Sequence, residues 1–106
     1  MQTMTVRCDD SEELVAIAVA WDRQQARADI MGYMGTRVLA DRGDPGRYVV
    51  IVDFGVVDPE VPAFEEAARN NERRETQVTV ARLRELVGDI EYHDYDELYR
   101  TEFYGT

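Results

Sequence analysis

The sequence predicts an α+β domain: a four-stranded antiparallel sheet with its helices on one face. Three observations carry that expectation. Strand-like and helix-like patterns follow one another as strand, helix, strand, strand, helix, strand. One central strand is apolar on both of its sides. The 106 residues, 44% of them hydrophobic, are enough for one core and too few for two, so residues 1–106 are read as a single domain.

Residues 4–8 (MTVRC) form the first expected strand. Asp10, followed three residues later by Glu13, has the spacing of a helix-opening capping box. The helix that follows places Leu14, Ile17, Ala18 and Trp21 on one stripe, with Glu12, Glu13, Asp22 and Arg23 largely on the other side, and is expected to reach about Ala26. Residues 32–54 hold two strand-like runs around the breaker cluster Arg42-Gly43-Asp44-Pro45-Gly46, a β-hairpin with a longer loop. In its second run Tyr48, Val50, Val52 and Phe54 point one way, and Val49 and Ile51 the other. Pro59 and Pro62 suit the opening of a short helix over about Pro62–Asn70. A break at Asn70–Arg74 precedes a second helical stripe of Val80, Leu83, Leu86 and Val87, which Gly88 is placed to end. The last strand is expected over Ile90–Tyr95.

Charge narrows the function classes. Twenty-two acidic residues face 12 basic ones, a net charge of −10, and that field repels nucleic-acid phosphates and anionic membrane surfaces. Every basic residue is an arginine, and they are scattered. Cys8 is the only cysteine, so neither an intrachain disulfide nor a cysteine metal cage is available, and it is expected to be buried as a small apolar side chain. The N-terminal run MQTMTVRCDDSEE has no apolar segment of the export type, and a cytoplasmic location is expected.

The element order is that of the ferredoxin-like split βαβ arrangement. If helices cover one face of the sheet, the two-sided apolarity of Tyr48–Phe54 leaves the other face to be covered by something else, and a second copy of the chain is the economical candidate. With each strand leaving two apolar side chains there, about 800 Å² would be bare, roughly 20 kcal/mol gross at about 25 cal/mol per Å². An obligate homodimer is therefore expected.

The hairpin GYMGTRVLADRGDPGRYVVIVDF, the segment AARNNERRETQ (67–77) and the closing run EYHDYDELYR (91–100) resemble the antibiotic biosynthesis monooxygenase-like domains of the dimeric α+β barrel superfamily. The resemblance implies two sheets packed face to face in a homodimer, a cleft between each sheet and its own helices, and in some members oxidation of aromatic polyketides or quinols by molecular oxygen without metal or flavin. A haem-degrading branch uses a Trp-, Ser- and Phe-containing helix ending in Ala-His. This chain has FEEAARNNERRETQ there, so no haem is implied.

His93 is the one side chain whose ordinary pKa suits acid–base work near neutrality, and it is the candidate catalytic residue. Trp21, on the apolar stripe, is a core anchor or a stacking surface for an aromatic ligand. Tyr33 and Tyr48 are expected to meet across the hairpin and either pack or orient a ligand. Asn71 and Arg74, at the helix break, are candidates to hydrogen-bond a carbonyl or oxyanion. One histidine and one cysteine make no soft-ligand metal site, and no cofactor is expected. Two functions follow: a cofactor-independent monooxygenase-like protein acting on a small aromatic or quinone-type compound, or a dimeric ligand-binding or assembly module of the same fold without turnover.

Overall fold

The structure, a computed structural model, describes residues 1–27, 32–54 and 73–101. Among the described residues six elements run in the order β1 (Gln2–Arg7), α1 (Ser11–Arg27), β2 (Tyr33–Ala40), β3 (Arg47–Phe54), α2 (Arg74–Val87) and β4 (Glu91–Asp94). The four strands pair antiparallel in the order β2-β3-β1-β4, so the first strand sits inside the sheet and the hairpin flanks it. This is the α+β architecture that the element order predicts. The short helix expected over Pro62–Asn70 lies outside the described residues.

Local chemistry explains the boundaries. Asp10 Oδ1 accepts a hydrogen bond from the Glu13 backbone N–H at 3.0 Å, which satisfies one of the orphan donors at the start of α1. The reciprocal half of the box is not made, because the Glu13 carboxylate reaches Arg82 on α2 at 2.7 Å instead. Gly88 ends α2 with φ of 73° and donates its N–H to the Arg84 carbonyl at 2.8 Å, a backbone geometry that a side chain would strain. The hairpin closes through Asp41, whose carboxylate accepts from the Gly43 N–H and pairs with Arg47 at 2.9 Å. Cys8 leaves β1, is buried, and donates its backbone N–H to the Gly46 carbonyl.

Both helices pack on one face of the sheet. Leu14, Ile17 and Trp21 of α1 and Leu83 of α2 meet Met4, Val6, Val50, Val52 and Phe54 in one core. Strand register assigns Gln2, Met4, Tyr48, Val50, Val52, Phe54, Thr36, Val38 and Tyr92 to this side. The opposite side carries Thr3, Thr5, Arg37, Leu39, Val49, Ile51, Asp53, Glu91 and His93. It is less apolar than the sequence led us to expect. β1 and β4 contribute threonines, a glutamate and a histidine, and Ile51 is already 8% exposed within the chain, so the expectation of about 800 Å² of bare apolar area is too large.

Strand β2 is not regular throughout. Between Tyr33 and Gly35 the β2–β3 register shifts, with Tyr33 opposite Phe54 and Gly35 opposite Asp53, so Met34 is an extra residue in the strand. Gly35 has φ of 137°, in the region that favours glycine. In a regular strand, residues three apart point to opposite faces. The bulge puts Tyr33 and Thr36 on the same one.

Candidate functional site

A cavity of about 340 Å³ lies between the helix-facing side of the sheet and the two helices, within the range that holds small molecules. Met4, Val50, Val52 and Phe54 form its floor, Leu14, Ile17 and Trp21 one wall, and Val80 and Leu83 the other. The polar groups on it are few: Gln2, Thr36, Thr76, Gln77, Thr79, Arg84 and Tyr92. Among the described residues that line it there is no carboxylate and no imidazole.

At one end three rings meet edge to face. The Trp21 and Tyr33 centroids are 6.4 Å apart at 87°, and those of Tyr33 and Phe54 are 5.8 Å apart at 70°, the arrangement favoured by ring quadrupoles. The Tyr33 hydroxyl donates to Asp22 Oδ1 at 2.7 Å and lies 2.5 Å from Thr36 Oγ1. Burial pushes its pKa upward. The hydrogen bond with Thr36 works against that, and the Asp22 carboxylate adds to it.

Several buried polar atoms near this end have no hydrogen-bond partner. Trp21 Nε1 and Thr76 Oγ1 belong to residues that line the cavity, and Gln25, one turn after Trp21, has both amide atoms unpartnered. Thr76 is 2% exposed and Gln25 1%. A hydrogen bond from Thr79 to Gln24 Oε1 at 3.3 Å holds this end of α1 against the first turns of α2. Leaving such groups unsatisfied costs about 1–3 kcal/mol each. Either water or a ligand would relieve the cost.

The residues singled out from the sequence fare differently. Trp21 lines the cavity, and Tyr33 packs against it. Tyr48 does not meet Tyr33: it pairs with Ala40 at the loop end of the hairpin, whereas Tyr33 pairs with Phe54 at the open end. His93 pairs with Thr3 and points to the side of the sheet away from the cavity, where its Nε2 lies 3.3 Å from Glu91 Oε1 and its ring 6.0 Å from that of Tyr95. Its neighbour Tyr92 is the β4 residue that reaches the cavity. Arg74 is exposed at the start of α2, and Asn71 lies outside the described residues. Sequence reasoning missed Thr76 and Gln25, yet the signal was present: each extends an apolar stripe by one helical step, Trp21 to Gln25 and Val80 back to Thr76.

The described residues contain no grouping of three or more His, Cys, Asp or Glu side chains suited to a metal ion. None of their helices is long and apolar enough to cross a membrane.

Sheet order, helix placement and the cavity between them define a ferredoxin-like α+β fold of the kind found in antibiotic biosynthesis monooxygenase-like proteins. The chain superposes on a candidate antibiotic biosynthesis monooxygenase from Deinococcus radiodurans with a TM-score of 0.70, 13% identity, and coverage of 98% of this chain and 97% of that one. SnoaB from Streptomyces nogalater, a cofactor-independent oxygenase solved as a point mutant, matches with a TM-score of 0.71 and 14% identity over 93% and 91% of the two chains. A candidate monooxygenase from Nitrosomonas europaea gives 0.69 and 17% over 95% and 91%. No protein-family model matches the sequence, and no curated protein does either. At these identities the likeness is one of fold.

Proposed function

We propose that this chain binds a small aromatic compound of phenol or quinone type in the cavity between sheet and helices, and acts on it as a cofactor-independent monooxygenase in the form of a homodimer. The observation that carries the binding is an apolar cavity of about 340 Å³ with aromatic rings at one end and buried, unpartnered hydrogen-bonding atoms beside them. Similarity of fold to SnoaB supports the oxygenase step. In that step the bound phenol loses a proton to solvent, a ring carbon forms a C–O bond to O2, and the resulting hydroperoxide breaks its O–O bond to leave a carbonyl on the ring and release water, the substrate supplying all four electrons. His93 lies on the wrong side of the sheet to take that proton from the cavity. Second-copy packing against Leu39, Val49 and Ile51 would cover the other face.

The absence of a carboxylate or imidazole among the described lining residues favours a second reading, a binding module without turnover. Trp21 is the only tryptophan and stands in the cavity wall, so its fluorescence reports occupancy. Titration with a panel of hydroquinones and polyphenols, paired with oxygen-electrode measurements in the presence of chelator and without flavin, separates the readings. Fluorescence change with oxygen uptake supports the monooxygenase, and fluorescence change alone the binding module. No response to any member would overturn both.

A further inference from the structure

The hydrogen bonds at the ring end of the cavity fix which way one of its polar groups faces. Asp22, on the exposed side of α1, presents a carboxylate to Tyr33, and a carboxylate only accepts. A tyrosine hydroxyl has a single proton, and at 2.7 Å from Asp22 Oδ1 that proton is committed there. The 2.5 Å contact between the Tyr33 oxygen and Thr36 Oγ1 must then use the hydrogen of Thr36. Thr36 lines the cavity with its one donor already spent. It has only lone pairs left to offer a ligand.

Resting on the cavity being the ligand site, we propose that Thr36 accepts a hydrogen bond from a hydroxyl of the bound molecule, so that the cavity selects the phenolic form of an aromatic compound over its quinone or ether. A carbonyl or ether oxygen brought to Thr36 would set lone pairs against lone pairs and leave both unpaired in an apolar surrounding, which is the expensive outcome for a buried polar group. Burial keeps Tyr33 protonated well beyond the ordinary tyrosine range, so the direction of the chain holds across neutral pH. The bulge at Met34 is what brings Tyr33 and Thr36 together, and the edge-on contacts of Tyr33 with Trp21 and Phe54 hold its ring in place.

The test compares two ligands of nearly equal shape, 2-naphthol and 2-methoxynaphthalene, by equilibrium dialysis against the wild-type chain. We expect 2-naphthol to bind about tenfold more tightly, the scale of one hydrogen bond. Asp22→Asn supplies a donor where the chain has only an acceptor, so Tyr33 is free to donate to Thr36 and Thr36 to the ligand. Preference for the naphthol should fall to about twofold or reverse. Tyr33→Phe keeps the ring and releases the Thr36 hydroxyl, with the same loss of preference. Near-UV circular dichroism checks that both variants keep their aromatic packing. Equal affinity of the wild type for the two ligands, or a preference that survives Asp22→Asn in a folded protein, would overturn the assignment of Thr36 while leaving the cavity as a ligand site. Binding of neither ligand would overturn the cavity reading itself.

Discussion

The two faces of the sheet start from the same strand and end differently. β3 offers apolar side chains to both, yet on the helix side its neighbours include Met4, Val6 and Val38, and on the other they are Thr3, Thr5, Arg37 and Leu39. The first face becomes a core that encloses a cavity, with buried hydroxyl, amide and indole groups left unpaired at one end. The second carries an ion pair, Arg37 with Asp53 at 3.4 Å, the His93–Glu91 contact, and a central apolar strip. A strand's own alternation says that both sides are apolar. What each side becomes is decided by the strands beside it.

The sharpest way to break the contrast is to remove a side chain from the helix side. Leu14 is 1% exposed and lines the cavity, and Leu14→Ala should cost about 2–5 kcal/mol in urea unfolding, a large share of the stability of a domain this size. A cost below about 1 kcal/mol would mean that the helix side is loosely packed. On the other face, Leu39 is 45% exposed on the edge strand β2, so an isolated chain should tolerate Leu39→Asp with little loss of stability. If a second copy covers that face, light scattering should give twice the 12.2 kDa chain mass for the wild type and a single-chain mass for the variant. A monomeric wild type would end the homodimer reading.

Tyr33→Phe tests the hydroxyl at the ring end, with an expected loss of about 1 kcal/mol at neutral pH. It also has a pH signature. Because the folded-state pKa of Tyr33 is raised above its ordinary value of 10.0, its contribution is fully present below about pH 10 and is lost as pH rises beyond that. The wild type should therefore lose stability more steeply than Tyr33→Phe in alkaline unfolding titrations. Equal slopes would show that the hydroxyl is not held as described. The smallest effect is expected at Thr76→Val, which replaces an unpartnered buried hydroxyl by a methyl group of the same shape and should be neutral or slightly stabilising, within about 1 kcal/mol. A marked loss would mean that an internal water satisfies Thr76.

Much of this architecture was legible in the residues. The Asp10–Glu13 spacing, the stripe through Leu14, Ile17 and Trp21, the breaker cluster at Arg42–Gly46 and the stop at Gly88 each mark a boundary through local backbone chemistry, which sequence carries directly. The site was harder. All four residues of β4 are exposed, so no apolar alternation reveals that Tyr92 and not His93 turns toward the cavity. The separation of Tyr33 from Tyr48 was available by counting outward from the loop, since strands flanking residues 42–46 place Tyr48 beside Ala40. Thr76 escaped because a polar residue on an apolar stripe reads as the end of the stripe rather than as part of a cavity wall, and Gln25, buried one turn after Trp21, escaped because it too reads as the end of its stripe.

The bulge at Met34 also governs how such a site can change over evolution. Substitutions adjust a cavity gradually, but the corner made by Tyr33, Thr36 and Asp22 depends on how β2 pairs with β3. Were β2 to pair with β3 without the bulge while keeping all its residues, Tyr33 and Thr36, three apart, would face opposite sides and the Tyr33 hydroxyl would be stranded away from both partners. Deleting Met34 itself would leave Tyr33 two residues before Thr36 and on the same face. Loss of the bulge at unchanged strand length would thus erase the acceptor polarity of the cavity in one step. Chains of this fold in which a β2 of the same length pairs without this bulge are the ones in which a different ligand preference should be sought.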